Sequence, residues 1–309
     1  MENLSKTKIW LAQIRANFLI LAVLLVGIGL AAFRYRHDAA YDFNIFHAIL
    51  LLIGVVIAHA SVNLFNEYSD FRTKIDFNTP RNPFSGGSGM LTNGHTKPKN
   101  VLTVSIATLL AAVSIGIYFA IVSHWFLLVI IITGVFAVLF YTNFLAKILL
   151  GELFAGLTLG SLVVIGTYIS MTATPQMAVS ELVPLKVILL SIPPGILTSL
   201  LLLLNEFPDS EADRQGGRFH LVIKLGKKKA AYVYTAGLII TFAVIVLLPI
   251  INLTSLWVYI ALVTIPVAIK VSITAIRSGH DNQKIIPVLA QNVMIVLGTD
   301  LLLAIGILI

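Results

Sequence analysis

Two five-residue stretches hold the side chains best suited to chemistry: Asn66-Glu67-Tyr68-Ser69-Asp70 and Asn205-Glu206-Phe207-Pro208-Asp209. They repeat one Asn-Glu-x-x-Asp pattern 139 positions apart, and further acids extend the first to Asp76 and the second to Asp213. Residues four apart share one side of a helix, so Asn66 and Asp70 form one row of oxygens, and Asn205, Asp209 and Asp213 form another; a turn must bring in Asp76. Seven acids, Glu67, Asp70, Asp76, Glu206, Asp209, Glu211 and Asp213, would repel one another if gathered in one place. Carboxylate and amide oxygens suit Mg2+, which keeps several waters and is commonly held by one or two carboxylates plus substrate phosphates. Asn66, Asp70, Asp76, Asn205, Asp209 and Asp213 are therefore the expected metal ligands, with a diphosphate between the two rows. Such an arrangement stabilises the charge that develops as a carbon–oxygen bond to the diphosphate breaks. An allylic cation left behind needs a dry chamber with apolar and aromatic walls.

Those rows must be positioned by membrane helices. The 309 residues are 58% hydrophobic and 11% charged, whereas soluble domains carry about 25% charged residues. Apolar runs long enough to span a bilayer fall near 17–33, 46–66, 100–122, 125–144, 149–172, 187–206, 229–250, 254–276 and 285–309. The expected fold is thus an all-α membrane protein, one domain over residues 1–309, built as a bundle of nine transmembrane helices. The first helix is expected to stay in place as a signal anchor. Of 21 Lys and Arg, 17 fall on the side that carries the N-terminus and both acidic stretches, 3 on the other, and Lys270 within a span. The excess predicts a cytoplasmic N-terminus, an outside C-terminus and residence in the cell membrane as a multi-pass protein. The net charge of +7, gathered on that face, favours anionic lipid headgroups or a phosphorylated substrate; no nucleic-acid-binding module is visible. With no cysteine in the chain, neither disulfides nor thiolate ligands are available.

The two acidic motifs resemble those of the UbiA superfamily of intramembrane prenyltransferases. That family has nine helices, with aspartate-rich motifs after helices two and six. The Asn-Glu-x-x-Asp-x5-Asp spacing of the first motif is similar to the branch that prenylates 1,4-dihydroxy-2-naphthoate in menaquinone synthesis. GGSGML (Gly86 to Leu91), FYTNFLAKILLGEL (Phe140 to Leu153) and DRQGGRFHLVIKLG (Asp213 to Gly226) support that branch. The chain departs from the branch in having Asn143 to Lys147 where a Gly-Pro is common, and both motifs begin Asn-Glu where much of the superfamily has Asn-Asp.

The resemblance implies Mg2+-dependent transfer of a polyprenyl group from a prenyl diphosphate to an aromatic acceptor in the membrane. Asp70 and Asp209 are the central catalytic residues. Tyr141 is expected to face the allylic cation, Lys147 to bind phosphate, and Glu152 to orient the acceptor hydroxyl or to serve as a structural hydrogen-bonding group. Arg15 and Arg81, with Lys147, Asn66 and Asn205, are the expected diphosphate contacts. Other acceptors remain open, namely 4-hydroxybenzoate, homogentisate, haem or a glycerol phosphate. A cation transporter would place its acids near the bilayer midplane rather than at one surface, which favours an enzyme. Arg72, Lys74, Arg214 and Arg218 are read as general charge balance, and His95 and His220 as isolated imidazoles. The Gly-Gly-Ser-Gly stretch is read as a mobile loop, Pro193-Pro194 as a kink, and Asp300 as a structurally paired acid.

Overall fold

The computed structural model describes residues 4–36, 43–141 and 144–309, and its regular elements among them are all helical. Thr142 and Asn143 of the FYTNFLAKILLGEL stretch lie outside the described residues. Nine principal helices follow in order: α1 (Ile20–Arg36), α2 (Ile45–Arg72), α3 (Pro98–Val122), α4 (Leu127–Phe140) and α5 (Gly151–Thr172), then α6 (Leu185–Gln215), α7 (Lys227–Ile250), α8 (Leu256–Ser278) and α9 (Asn282–Leu308). Among the described residues eight helices are long and apolar enough to cross a membrane, making this a multi-pass membrane protein. The exception is α4, with 14 residues. It rises about 21 Å at 1.5 Å per residue, against a hydrocarbon core of about 30 Å. Large apolar side chains such as Ile121, Ile132, Val263 and Leu256 stay exposed, as a lipid-facing surface requires.

The helices that bear the acidic motifs are the longest. With 28 residues in α2 and 31 in α6, they span about 42 and 46 Å, so each outlasts the apolar run within it. Helical geometry continues through both motifs, and α6 passes Pro193, Pro194 and Pro208 without a break. Pro208 thus leaves the Asn205–Asp209–Asp213 row intact. Beyond α2, Lys74 turns into the left-handed region at φ 62°, and a short helix, Ile75–Asn78, brings Asp76 back to the end of the bundle.

Glycines let α5 and α6 approach closely. A Cβ at Gly160 would lie 2.5 Å from the Gly195 Cα, and one at Gly156 would lie 2.4 Å from the Gly195 carbonyl. The hydroxyls of Ser161 and Ser199 donate across this seam to the carbonyls of Ser191 and Glu152, at 2.9 and 2.6 Å. Small residues and cross-helix hydrogen bonds are the usual adhesive inside a bilayer, where apolar burial gains nothing over lipid. The consequence is that Glu152, at the start of α5, is pressed toward Glu206 on α6. On the far side Tyr234 of α7 donates to Asn292 of α9 at 2.8 Å. The Asn292 amide in turn donates to the Leu200 carbonyl of α6 at 3.4 Å.

Candidate active site

The two acidic rows meet in one cavity of about 230 Å3. Asn66, Asp70 and Asp76 line it from one side, Asn205, Asp209 and Asp213 from the other, with Arg15 and Tyr141 between them. Arg15 sits in a left-handed turn at φ 49°. That turn is tethered by Asn63 of α2, whose amide donates to the Ile14 carbonyl at 2.8 Å, and by Gln13, which donates to Thr96 at 2.8 Å. Gly151 packs against Tyr141, its Cβ position lying 3.3 Å from the phenol ring. An adjoining cavity of about 220 Å3 lies among α2, α3, α4 and α5. It shares His59, Val62, Val138, Thr158 and Leu159 with the acidic one, and its remaining walls are predominantly apolar.

The loop after the first motif is fastened to the site, in contrast to the mobile loop expected. Ser85 donates its hydroxyl to Asp209 at 2.8 Å. Ser88 donates its backbone N–H to Glu67 at 3.0 Å and its hydroxyl to the other oxygen of the same carboxylate. Gly87 lies at φ 69° with its Cβ position 2.4 Å from an Asp76 oxygen. Only a glycine lets the backbone pass so close to that carboxylate. Burial, followed by the nearby charges of Asp70 and Glu67, pushes the Asp76 carboxyl up to about 7.

Two residues read as bystanders in the sequence stand at the centre. Arg218 bridges the rows: its guanidinium donates to Asp70 and, at 3.1 Å, to Asp213. Although burial opposes its charge, those two carboxylates hold the Arg218 pKa above the ordinary guanidinium value. His220 lies between Asp213, hydrogen-bonded to its Nε2 at 3.2 Å, and Glu206, whose Oε2 approaches Nδ1 at 3.2 Å. The sequence marks only that a turn follows the second motif, through the Gly216-Gly217 pair, and not where that turn aims Arg218 and His220. Gly217 turns the chain at φ 81°, His220 is extended, and positions two apart in extended backbone share a side.

Three expected contacts are not formed. Lys147 is exposed and off the cavity wall, because the chain leaves α4 through a tight turn at Leu145–Lys147 that points it outward. Arg81 is also off the wall, and its guanidinium donates to Asn93, at 3.4 Å, and to Thr92 in its own loop. Asp300 is fully buried, yet neither carboxylate oxygen has a hydrogen-bond partner among the described residues. The pairing expected of it is not made. Glu152 is buried behind the cavity, accepting a hydrogen bond from the Leu221 N–H at 2.8 Å.

Hard oxygen donors from two helices line one cavity at an end of a membrane bundle, a donor set that suits a divalent cation. The chain matches the UbiA prenyltransferase family model over residues 20–290 and belongs to that family. It is a membrane-bound prenyltransferase. It is 28% identical over 245 residues to 1,4-dihydroxy-2-naphthoate octaprenyltransferase of Bacillus subtilis (strain 168), covering 78% of this chain and 73% of that one. It shares its fold with the apo structure of a UbiA homolog from Aeropyrum pernix K1, at a TM-score of 0.69 and 18% identity over 94% of this chain and 97% of that one. A UbiA homolog from Archaeoglobus fulgidus bound to DMAPP and Mg2+ superposes at a TM-score of 0.55, with 14% identity over 96% of this chain and 99% of that one.

Proposed function

We propose that this enzyme transfers a polyprenyl group from an allylic prenyl diphosphate to the carboxylate-bearing ring carbon of 1,4-dihydroxy-2-naphthoate, releasing diphosphate and carbon dioxide and giving the quinol form of demethylmenaquinone. One observation carries the proposal: two acidic rows share a cavity that runs on into an apolar one between helices. A diphosphate would lie between the rows with its chain in the apolar cavity. The Bacillus subtilis relative carries the same acceptor in its name, and the Archaeoglobus fulgidus homolog was solved with a prenyl diphosphate and Mg2+.

The residues present fit Mg2+. Their donors are carboxylates and amides, and the Asn205 side-chain oxygen is buried with no hydrogen-bond partner among the described residues, free to ligate. Asn66, Asp70, Asp76, Asn205 and Asp209 would hold the ion. Asp213, given as a ligand by the sequence, has both oxygens engaged by Arg218 and His220 and acts here by orienting those two side chains. When bound, Mg2+ neutralises the departing diphosphate. Arg15 adds positive charge at the same wall, and Arg218 turns from Asp70 to the phosphates as substrate enters. Tyr141 presents its ring to the allylic cation, while Val62, Val138 and Leu159 keep water from it. Glu152, behind the cavity wall, holds the Leu221 N–H and so positions the segment after α6.

The same reading makes residues 1–309 one domain of nine spans, with α4 the short ninth, N-terminus in the cytoplasm and C-terminus outside. The positive excess beside both motifs supports it. The decisive experiment incubates detergent-purified protein with Mg2+, a prenyl diphosphate and a panel of aromatic acceptors, and weighs the products. A prenylated naphthoquinol is expected. Product formed only with 4-hydroxybenzoate or homogentisate would reassign the acceptor, and none with any acceptor would overturn the reaction.

A further inference from the structure

We infer that Glu152, Glu206 and His220 form a second metal site, distinct from the magnesium rows, built for a transition-metal cation such as Zn2+, Co2+ or Mn2+. One ligand atom from each of the three lies within 4.8 Å of the other two, and all three residues are buried. The acids alone would not make a site. The unsatisfied atoms point to the ligand: Glu152 Oε2, Glu206 Oε2 and His220 Nδ1 are buried and have no hydrogen-bond partner among the described residues.

The geometry between Glu206 and His220 is the telling part. Glu206 Oε2 and His220 Nδ1 are 3.2 Å apart, close enough for an ion pair, yet they are not aligned as a hydrogen bond. Atoms that share a metal behave in this way, because they point at a common centre rather than at each other. Ligands held about 2.1 Å from one ion lie roughly 3.0 Å apart along an octahedral edge and roughly 3.4 Å apart in a tetrahedron. The observed separation falls between the two.

Each ligand is also braced from behind. His220 Nε2 is hydrogen-bonded to Asp213 at 3.2 Å, which places the proton on Nε2 and leaves the Nδ1 lone pair free. Glu152 receives the Leu221 N–H at 2.8 Å on Oε1, leaving Oε2 for the metal. Carboxylate–imidazole bracing of this kind is characteristic of metal-ligating histidine. An imidazole among carboxylates selects against Mg2+, which prefers oxygen, and in favour of Zn2+, Co2+ or Mn2+. Glu206 and His220 line the cavity whereas Glu152 stands behind it, so an open coordination position faces the cavity.

The test needs no turnover, so its failure and failure of the proposed reaction are separable. Untagged full-length protein in detergent, freed of metal by chelator and dialysis, is titrated with Co2+ while its ligand-field absorption is followed. One equivalent is expected to bind with a visible spectrum that excess Mg2+ does not remove. Asp76→Asn, in the magnesium rows, should keep it. Asp213→Asn should weaken Co2+ binding about 10- to 100-fold through the lost brace, and His220→Ala should abolish the spectrum. Should His220→Ala fail to fold, Glu206→Gln, close to isosteric, carries the same expectation. No spectrum in the wild type, a spectrum that Mg2+ displaces, or one that survives His220→Ala or Glu206→Gln overturns the site.

Discussion

The two Asn-Glu-x-x-Asp motifs are spelled almost alike, and their glutamates do different work. In both, the Asn and Asp four residues apart face the shared cavity, and the Glu sits about 100° further round the helix, which takes Glu67 off the cavity wall and leaves Glu206 at its edge. What waits there differs. Glu67 meets the returning loop and fastens it through both Ser88 groups. Glu206 meets α5 and the segment after α6, where Glu152 and His220 converge on it. The repeat therefore sets two equivalent faces toward the substrate and two unequal backs, one serving as a latch and the other as the wall of a buried polar cluster.

The largest effects should come from the faces that are alike. Asp70→Ala and Asp209→Ala should each lower kcat/KM for prenyl transfer by about 10^3-fold or more, as loss of a group stabilising the leaving charge implies. Radiolabelled prenyl diphosphate turnover measures this. Chelation should stop the wild type reversibly. A substantially active Asp209→Ala enzyme would break the equivalence of the two rows.

Arg218→Ala comes next. It leaves Asp70 and Asp213 without their buried cation, a loss of about 3–5 kcal/mol when one partner of a buried pair is removed. Because Mg2+ held by Asp70 can neutralise one of these two carboxylates, the variant should melt lower than wild type without Mg2+ and recover part of the difference with it. Thermal unfolding in detergent at two Mg2+ concentrations decides the point. An equal deficit in both would mean that Arg218 and the ion do not share a carboxylate.

Turning to the backs, Glu67→Ala removes two hydrogen bonds from Ser88, on the order of 1–3 kcal/mol locally. The loop should then open more often. Limited proteolysis within residues 82–94 should accelerate about tenfold or more, since cleavage follows the population of the open form. Unchanged cleavage would show that Ser85 on Asp209 is a sufficient anchor.

How much of this was legible follows from the range over which each feature is determined. Every expected apolar run corresponds to a helix, because span length is set by bilayer thickness and is written locally. The cavity-facing rows were legible for the same reason: a spacing of four has one meaning on a helix. Features fixed by turns were not. Arg218 and His220 reach the site through the left-handed Gly217, and Lys147 is thrown outward by the tight turn Leu145–Lys147, after which Leu149 lies at φ 64°. Single-residue dihedrals of this sort leave little trace in periodicity. The partners of Glu67 and Glu152 lie 21 and 69 positions away, on segments whose docking is tertiary.

The smallest effect is the one that most sharpens the contrast between near and far cations. Lys147 and Arg15 both sit beside the end of the bundle, yet only Arg15 lines the cavity, held there by the tethers from Asn63 and Gln13. A charge turned outward into water is screened from a buried phosphate within about 8 Å at physiological salt. Lys147→Ala should therefore change KM for the prenyl diphosphate by no more than about twofold, whereas Arg15→Ala should raise it about tenfold, the loss expected for a charged hydrogen bond. Steady-state kinetics at saturating acceptor separates the two. A tenfold rise for Lys147→Ala would mean that the Leu145–Lys147 turn swings inward when substrate binds, giving that lysine the phosphate contact its place in the sequence suggests.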